Sequence, residues 1–345
     1  MALEITELLG DGIGFELERA VATVAAHLPL EFVFHKFDWS LPTRNARGLE
    51  VIEEGAASLA RTRVALKYPT VTAGVSPNAV LRRRCNFSVI YRPAISIPGI
   101  SSNFKEDVNL HIVRVATGGT YEDPGQLIGR HAAVSLRLVE REPCAHAAVF
   151  AFELARRHGW SVTSASKHTI QRVTDGLFES VVDEVHERYP DVAHQTELFD
   201  ALLAKIILSP ERYQVVLVLN EYGDFLSDMA AGLVGSLGTG ASGNFAFDAS
   251  NQVTLAMFDP AGGTAPDIAG QNVCNPSAIL LAFGMLLDHV GYRDIADGLR
   301  RSLLEAIGAG ESTRDLGGSL STTEFTDVVV RRLAGAFPDG APKPG

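Results

Sequence analysis

An α/β fold is the class this 345-residue chain predicts, and three observations point to it. Residues 4–9 form a short β-compatible run that enters the turn Gly10-Asp11-Gly12-Ile13-Gly14, and from Phe15 to His27 apolar residues recur at helical spacing. Segments of helical and strand pattern then alternate along the chain. Further on, Tyr213-Gln-Val-Val-Leu-Val-Leu219 is a continuous apolar run of the buried-strand type. With 46% hydrophobic residues, a chain of this length can bury one large core or two smaller ones, and two intimately joined domains are expected.

The elements follow in order. A helix is expected over 48–60 and a strand over 63–67. Strands over 87–91 and 108–113 flank a Pro/Gly/Ser loop at 93–103. Residues 147–158 read as an amphipathic helix, 161–165 as a strand and 174–187 as a helix. Tyr189-Pro190 ends that helix, because the residue before proline is biased away from helical backbone. The stretch Ser277–Leu287 is too short to cross a bilayer and reads as a buried core helix. The tail 337–345, rich in proline and glycine, is expected to fray. There is no internal repeat and no low-complexity segment.

Composition excludes several functions. With 41 acidic against 30 basic residues, the formal charge of -11 argues against a nucleic-acid groove or an anionic membrane surface as partner, though it allows a local basic site for a small polyanion. Cys85, Cys144 and Cys274 lie far apart, which suggests buried free thiols in a reducing compartment rather than disulfides or a zinc site. The N-terminus has no basic segment followed by an apolar block, so a cytoplasmic protein is expected.

Chemistry enters at Asn220-Glu-Tyr-Gly-Asp224-Phe-Leu-Ser-Asp228. On a helix the two carboxylates, four residues apart, share a face, and their repulsion of roughly 0.2–0.5 kcal/mol asks for a cation between them. A hard divalent ion with oxygen ligands would serve. Read alone, such a pair is more simply an N-cap at Asp224 with Asp228 facing water. The run, however, resembles the N-x-Y-G-D-x-x-S-D signature of the isocitrate/isopropylmalate dehydrogenase family, the metal-dependent β-decarboxylating dehydrogenases. Gly10-Asp-Gly-Ile-Gly14 lacks the G-x-G-x-x-G spacing of a Rossmann dinucleotide loop. It is similar instead to the family's G-D-G-I-G-P-E opening, with Phe15 in place of proline and Glu16 retained.

Further motifs recur in order. Ser76-Pro-Asn78-Ala-Val-Leu-Arg82 through Arg92-Pro93 resembles S-x-N-x-x-L-R followed by an L-R-P strand end. The resemblance makes Ser76, Asn78, Arg82 and Arg92 substrate-binding residues, and guanidinium forks suit carboxylates bidentately. Arg83 and Arg84 read as a solvated charge run. Arg114-Val-Ala-Thr-Gly-Gly-Thr-Tyr121 resembles V-R-E-x-T-G-G-x-Y, which implies Arg114 in the anion clamp and Tyr121 as catalytic acid. Val115 departs from the family glutamate, which in relatives lies beside the substrate pocket. Lys167 in Ser166-Lys167-His-Thr-Ile-Gln-Arg-Val-Thr-Asp175-Gly-Leu-Phe matches the catalytic lysine, expected near a cation and an arginine cluster that depress its pKa. Asp200, at the entry of an apolar helical run, would be a metal ligand shared across a dimer.

Asp259-Pro-Ala-Gly262-Gly263-Thr264-Ala265-Pro-Asp267 and Asn275-Pro276 resemble the family's cofactor loop. By that resemblance Thr72, Asn220, Gly263, Thr264, Ala265, Asp267 and Asn275 bind NAD, with Asp267 on the adenosine ribose. Gly262 stands where the family carries a histidine packed beside the cofactor, and Asp259 shortens the usual glutamate.

The resemblance implies a two-domain fold with a large mixed sheet flanked by helices, not a Rossmann fold. Residues 1–87 and 236–345 would form the cofactor domain, and 88–235 the dimerisation and metal-site domain. It implies NAD-dependent oxidative decarboxylation of a 3-carboxy-2-hydroxy acid, with Mg2+ or Mn2+ on Asp200, Asp224 and Asp228. A homodimer would share its active sites, the lysine and one aspartate coming from the partner. Isocitrate or a close anionic analogue, such as homoisocitrate or a phosphonate, is the expected substrate. A 3-isopropylmalate or tartrate dehydrogenase and a non-catalytic regulatory paralogue are the alternatives.

Overall fold

Ten strands join in one sheet in the order β2 (Phe32–Asp38), β1 (Leu3–Leu9), β3 (Val64–Lys67), β12 (Val253–Pro260), β11 (Ala241–Phe247), β4 (Phe87–Ile95), β5 (Asn109–Val115), β10 (Val215–Val218), β8 (Val162–Ser166) and β9 (His194–Leu198). The computed structural model describes residues 2–74, 76–105, 107–235 and 239–337. β2, β1, β3 and β12 run parallel to one another, as do β5, β10, β8 and β9. Between these blocks β11 and β4 pair antiparallel with their neighbours, so the sheet is mixed as expected. A separate hairpin of β6 (Gln126–Ile128) and β7 (Ala132–Val134) is exposed along its length.

The helices are α1 (Gly14–Ala25), α2 (Leu41–Arg47), α3 (Glu50–Thr62), α4 (Pro77–Arg84), α5 (Arg141–His158), α6 (Thr174–His186), α7 (Phe199–Leu208), α8 (Asn220–Val234), α9 (Ser277–His289), α10 (Arg293–Gly308) and α11 (Thr322–Ala336). α9 is apolar almost all round because it is buried almost all round. It lies against β11, β12 and α10, and its Phe283 alone stabilises the fold by about 1.5–3 kcal/mol through burial. Among the described residues no helix is long and apolar enough to cross a membrane. All three cysteines are buried and unpaired.

Differences from the sequence expectation have local causes. α5 starts at Arg141, six residues before the expected start, because its first turn is polar and holds Pro143, which the first turn tolerates. β4 continues through Pro93 to Ile95, where a loop was expected, and Pro93 sits opposite His111. The strands β2, β9, β11 and β12 were not anticipated. β9 reads His-Gln-Thr-Glu-Leu and shows no apolar alternation, since it is the sheet's edge. From residue 338 onward the tail lies outside the described residues, as does the expected boundary at 236.

Candidate active site

α8 follows directly on β10, and Asn220 is its first residue. Asp224 is therefore in the helix interior, not an N-cap, and Asp228 sits one turn on, over the same face. The β4–β5 register sets Arg92 opposite Ile112 and Arg114 opposite Ile90, so both arginines leave the same face of the sheet, the one against α8. Gly223 allows that approach, since a Cβ there would come within 2.6 Å of the Arg114 Cβ.

The side chains interlock. Arg92 Nη1 lies 3.4 Å from Asp224 Oδ1 and 3.3 Å from Asp228 Oδ1, and it donates to Ser227 Oγ at 2.8 Å. Arg114 pairs with Asp224 through Nη1, and its Nε and Nη2 donate to Asn220 Oδ1 at 2.9 and 2.7 Å. The Tyr121 hydroxyl donates to Asp224 Oδ2 at 3.0 Å. Partial burial pushes the Asp224 carboxyl up, but Arg114 and Arg92 outweigh it and hold the group below its ordinary value. Burial, and then Asp224, push the Tyr121 phenol up.

A guanidinium thus occupies the gap where two carboxylates of one helix face require a cation. Hard oxygens in this arrangement suit Mg2+ or Mn2+. They are only part of a ligand set: among the described residues no three His, Cys, Asp or Glu side chains come together to hold an ion. Asp200, second residue of α7, instead accepts from Lys167 Nζ at 2.6 Å. Within this chain the lysine's ion-pair partner is this aspartate.

Arg82 projects from α4 and is half-buried, close enough to Arg92 and Asp224 to feel both charges. Arg82 Nε, Arg92 Nε and Asn78 Oδ1 are all buried without a hydrogen-bond partner. Ser76 caps α4, accepting from the Ala79 N–H at 3.4 Å. Arg83 and Arg84 are exposed and pair with Glu122 and Glu53 at 3.3 and 2.6 Å, as a solvated charge run should.

The cofactor segments are tied to one another. Ile13 N–H donates to the Thr264 carbonyl at 3.0 Å, and Glu16 accepts from the Gly270 and Asn272 N–H groups at 3.0 and 2.7 Å. Asp11 accepts from Val71 N–H at 2.8 Å and from Arg44 at 3.0 Å, which holds the segment leading to Thr72. Thr72, Gly263 and Asp267 are exposed, while Thr264, Ala265 and Asn275 are half-buried. Asn275 donates to Asp315 at 2.9 Å and accepts from Ser277 N–H at 2.9 Å. An exposed carboxylate at Asp267 is the right group to accept from ribose hydroxyls.

The isocitrate/isopropylmalate dehydrogenase family model matches residues 4–329. The chain belongs to that family. It is 38% identical over 337 residues to isocitrate dehydrogenase [NAD] subunit 2, mitochondrial, of Kluyveromyces lactis, covering 94% of this chain and 89% of the relative. It is 34% identical over 332 residues to isocitrate dehydrogenase [NAD] catalytic subunit 5, mitochondrial, of Arabidopsis thaliana, covering 94% and 87%. The crystal structure of isocitrate dehydrogenase from Methylococcus capsulatus superposes with a TM-score of 0.87 at 31% identity, covering 96% of this chain and 99% of that one.

Within the family frame, one departure and one motif residue change meaning. Val115 lies in β5 beside Arg114 and so points to the opposite face, into the core. Its apolar side chain serves packing there and does not face the arginines. Asn220, assigned to the cofactor from sequence, is buried with its amide engaged: it accepts from Arg114 and donates to the Gly118 carbonyl at 2.9 Å. Sequence reasoning missed Lys67, fully buried at the end of β3. Burial presses it down, while the charge of nearby Asp259 pulls the other way. Burial pushes Asp259 up, opposed first by Lys67. The signal was present: a lysine closing the apolar strand Val-Ala-Leu-Lys67 has no solvated reason to be there.

Proposed function

We propose that this chain oxidises isocitrate with NAD and decarboxylates the product, using Mg2+ or Mn2+. One observation carries the reading. Three arginines converge on the Asp224–Asp228 pair, and Arg82 Nε, Arg92 Nε and Asn78 Oδ1 stay unpartnered inside the protein. Buried polar atoms without partners are uncommon, and a small polycarboxylate would supply acceptors for the two guanidinium nitrogens. The relatives named as NAD isocitrate dehydrogenases favour isocitrate over 3-isopropylmalate or tartrate.

In this reading Arg82, Arg92 and Arg114 bind and orient the substrate carboxylates, with Ser76 and Asn78 at the γ-carboxylate. A bound divalent ion, held by Asp224 and Asp228 with Asp200 of a second chain, supplies Lewis-acid polarisation of the hydroxyl and its carbonyl product. Lys167 takes the hydroxyl proton as hydride leaves for NAD. Tyr121 delivers a proton to the carbon that loses carbon dioxide. Asp267 accepts from the adenosine ribose and disfavours a 2′-phosphate, so NAD is preferred to NADP.

Because Lys167 and Asp200 form a pair of their own, we infer that a second copy of the chain completes each site. The exposed apolar residues of the β6–β7 hairpin and its continuation, Leu127, Ile128, Leu136 and Leu138, offer surface for it. Residues 88–235 would then be the dimerisation and metal-site domain, between the two parts of the cofactor domain. The test is NADH production from isocitrate by the purified chain alone, with its mass measured in solution. Metal-dependent turnover by a dimer is expected. Turnover unaffected by EDTA, or an inactive monomer, would overturn the proposal.

A further inference from the structure

Three parallel strands, β2, β1 and β3, lie side by side and release their chains at the same end of the sheet. Ligands of open parallel sheets bind beyond such strand ends. Here the segments that leave the three strands are fastened together by one buried ion pair. Asp11 belongs to the turn after β1 and Arg44 to α2, which follows β2; their side chains are 9% and 8% exposed and lie 3.0 Å apart.

The other bonds of the pair go to backbone. Asp11 Oδ1 accepts from the Leu41 N–H at 2.6 Å, and Oδ2 accepts from the Val71 N–H at 2.8 Å. Arg44 donates to the Val71 carbonyl at 2.7 Å and to the Trp39 carbonyl at 2.8 Å, while the Asp11 N–H donates to the Pro69 carbonyl at 2.7 Å. Residues 69–71, just beyond β3, are therefore held on both sides of Thr70. The Thr70 hydroxyl itself is buried without a hydrogen-bond partner, which is uncommon and is what a bound ligand would complete.

The far side of the same turn grips the cofactor loop. Gly12 has φ +57°, and a Cβ there would fall 2.0 Å from the Thr264 carbonyl oxygen, to which Ile13 N–H donates at 3.0 Å. A loop that cradles phosphate presents free backbone N–H groups. In this turn the N–H groups of Asp11, Ile13 and Gly14 are all engaged within the protein, and the one side-chain charge is a carboxylate.

We propose that Asp11 and Arg44 are positioning residues for the dinucleotide, which bracket segment 69–72 against the Thr264 loop and fix the separation of two walls of the NAD site without contacting NAD. The proposal rests on the assignment of Thr72 and Thr264 to NAD made above. Both walls belong to one chain, so the bracket acts whichever copy supplies Lys167.

The test separates cofactor binding from turnover and from folding. In Arg44→Met, KM for NAD and the dissociation constant for NADH, read by fluorescence titration without isocitrate, should both rise about tenfold, with KM for isocitrate within about threefold because the substrate clamp is untouched. Arg44→Lys keeps a cation for Asp11 but lacks the fork that reaches the Val71 and Trp39 carbonyls together, so it should weaken NADH by about threefold in a folded protein, and it serves should Arg44→Met not fold. Val24→Ala, which opens a cavity under the buried face of α1, should lower the urea midpoint and leave NADH binding as it is. NADH binding within about twofold of the parent in both arginine variants would overturn the proposal, as would a Val24→Ala enzyme that loses NADH affinity as far as Arg44→Met does. A parent that binds no NADH would sink the cofactor reading and the proposal with it. A parent that binds NADH yet makes none from isocitrate would remove the substrate assignment alone, and the titrations would still decide the role of the pair.

Discussion

The half of the site on α8 and the half at the β8–β9 edge are built on opposite principles. Asp224 has three donors around it, and Arg114 behind it is nearly inaccessible to water. The Lys167–Asp200 pair is a single contact between side chains that are 33% and 64% exposed. The first half is bound into the fold and needs its charges to stay folded. The second is presented outward, and the fold asks almost nothing of it.

The sharpest way to break that comparison is to disable each half in turn. Asp224→Asn should lower turnover by about 10²–10⁴-fold and also destabilise the chain by about 1–2 kcal/mol, because Arg114 keeps its charge and loses its anion. That figure is modest because a third of the Asp224 side chain still meets water. Lys167→Met should cost a comparable factor in turnover, again about 10²–10⁴, with no change in urea midpoint. Equal destabilisation by the two variants would erase the distinction drawn above.

Tyr121→Phe sharpens the contrast between steps rather than between stabilities. The hydroxyl now donating to Asp224 is lost, and with it, in the proposed mechanism, the proton source for the last step. Steady-state turnover should drop by about 10²-fold, yet mixing enzyme, isocitrate and NAD for a single turnover should still give a burst of NADH. Lys167→Met should give none. A Tyr121→Phe enzyme without a burst would mean that the tyrosine acts before or during hydride transfer.

The two halves also differed in how far the sequence disclosed them. Arg92 and Arg114, outside the strands expected at 87–91 and 108–113, were legible only through the motifs that carry the family resemblance, whereas Asp224 and Asp228 were legible as a face-sharing pair because helix periodicity brings i and i+4 together. Gly10–Gly14 was legible as a turn for the same local reason. The ties of Arg137 to Asp175 and Glu221, and of Lys67 to Asp259, depend on segments far apart in the chain coming together, which no local pattern reports. β9 escaped because an edge strand has no buried face to impose an alternation. Asn220 was given to the cofactor by motif, and only the packing of α8 on β5 reveals what its amide holds.

Acid should weaken the fold through a residue on the far face of the same strand that carries Arg114. His111 in β5 is stacked between Tyr91 and Trp160, and burial carries its imidazole down from 6.5 to about 3. A depressed folded pKa means that the neutral ring's contribution is whole above pH 6.5 and is lost as pH falls from there toward about 3. The loss should reach roughly 3 kcal/mol by about pH 4. His111→Gln should flatten this limb of a stability–pH curve measured by urea titration. A residual slope is expected from His146, His194 and His289, which burial lowers as well. An unchanged limb in the variant would remove His111 from the account.

The smallest effect is expected where the chain departs from its family beside the α8 half. Gly262 lines a pocket of about 140 Å³ with Arg92, Ser227, Asp228 and Gly263, and nothing lies within 4 Å of where its Cβ would be. A side chain can therefore be added there without displacing the fold. The family's histidine at this place packs beside the cofactor, so Gly262→His should restore an apolar and polarisable wall where this chain has open space. The gain in cofactor binding should be no more than about 1 kcal/mol, the scale of one additional side-chain contact, which is roughly a fivefold lower KM for NAD. Urea midpoint and KM for isocitrate should stay as they are. A variant that binds NAD no better while losing isocitrate affinity would show that the space at Gly262 belongs to the substrate side of the site, against Arg92 and Asp228, rather than to the cofactor loop.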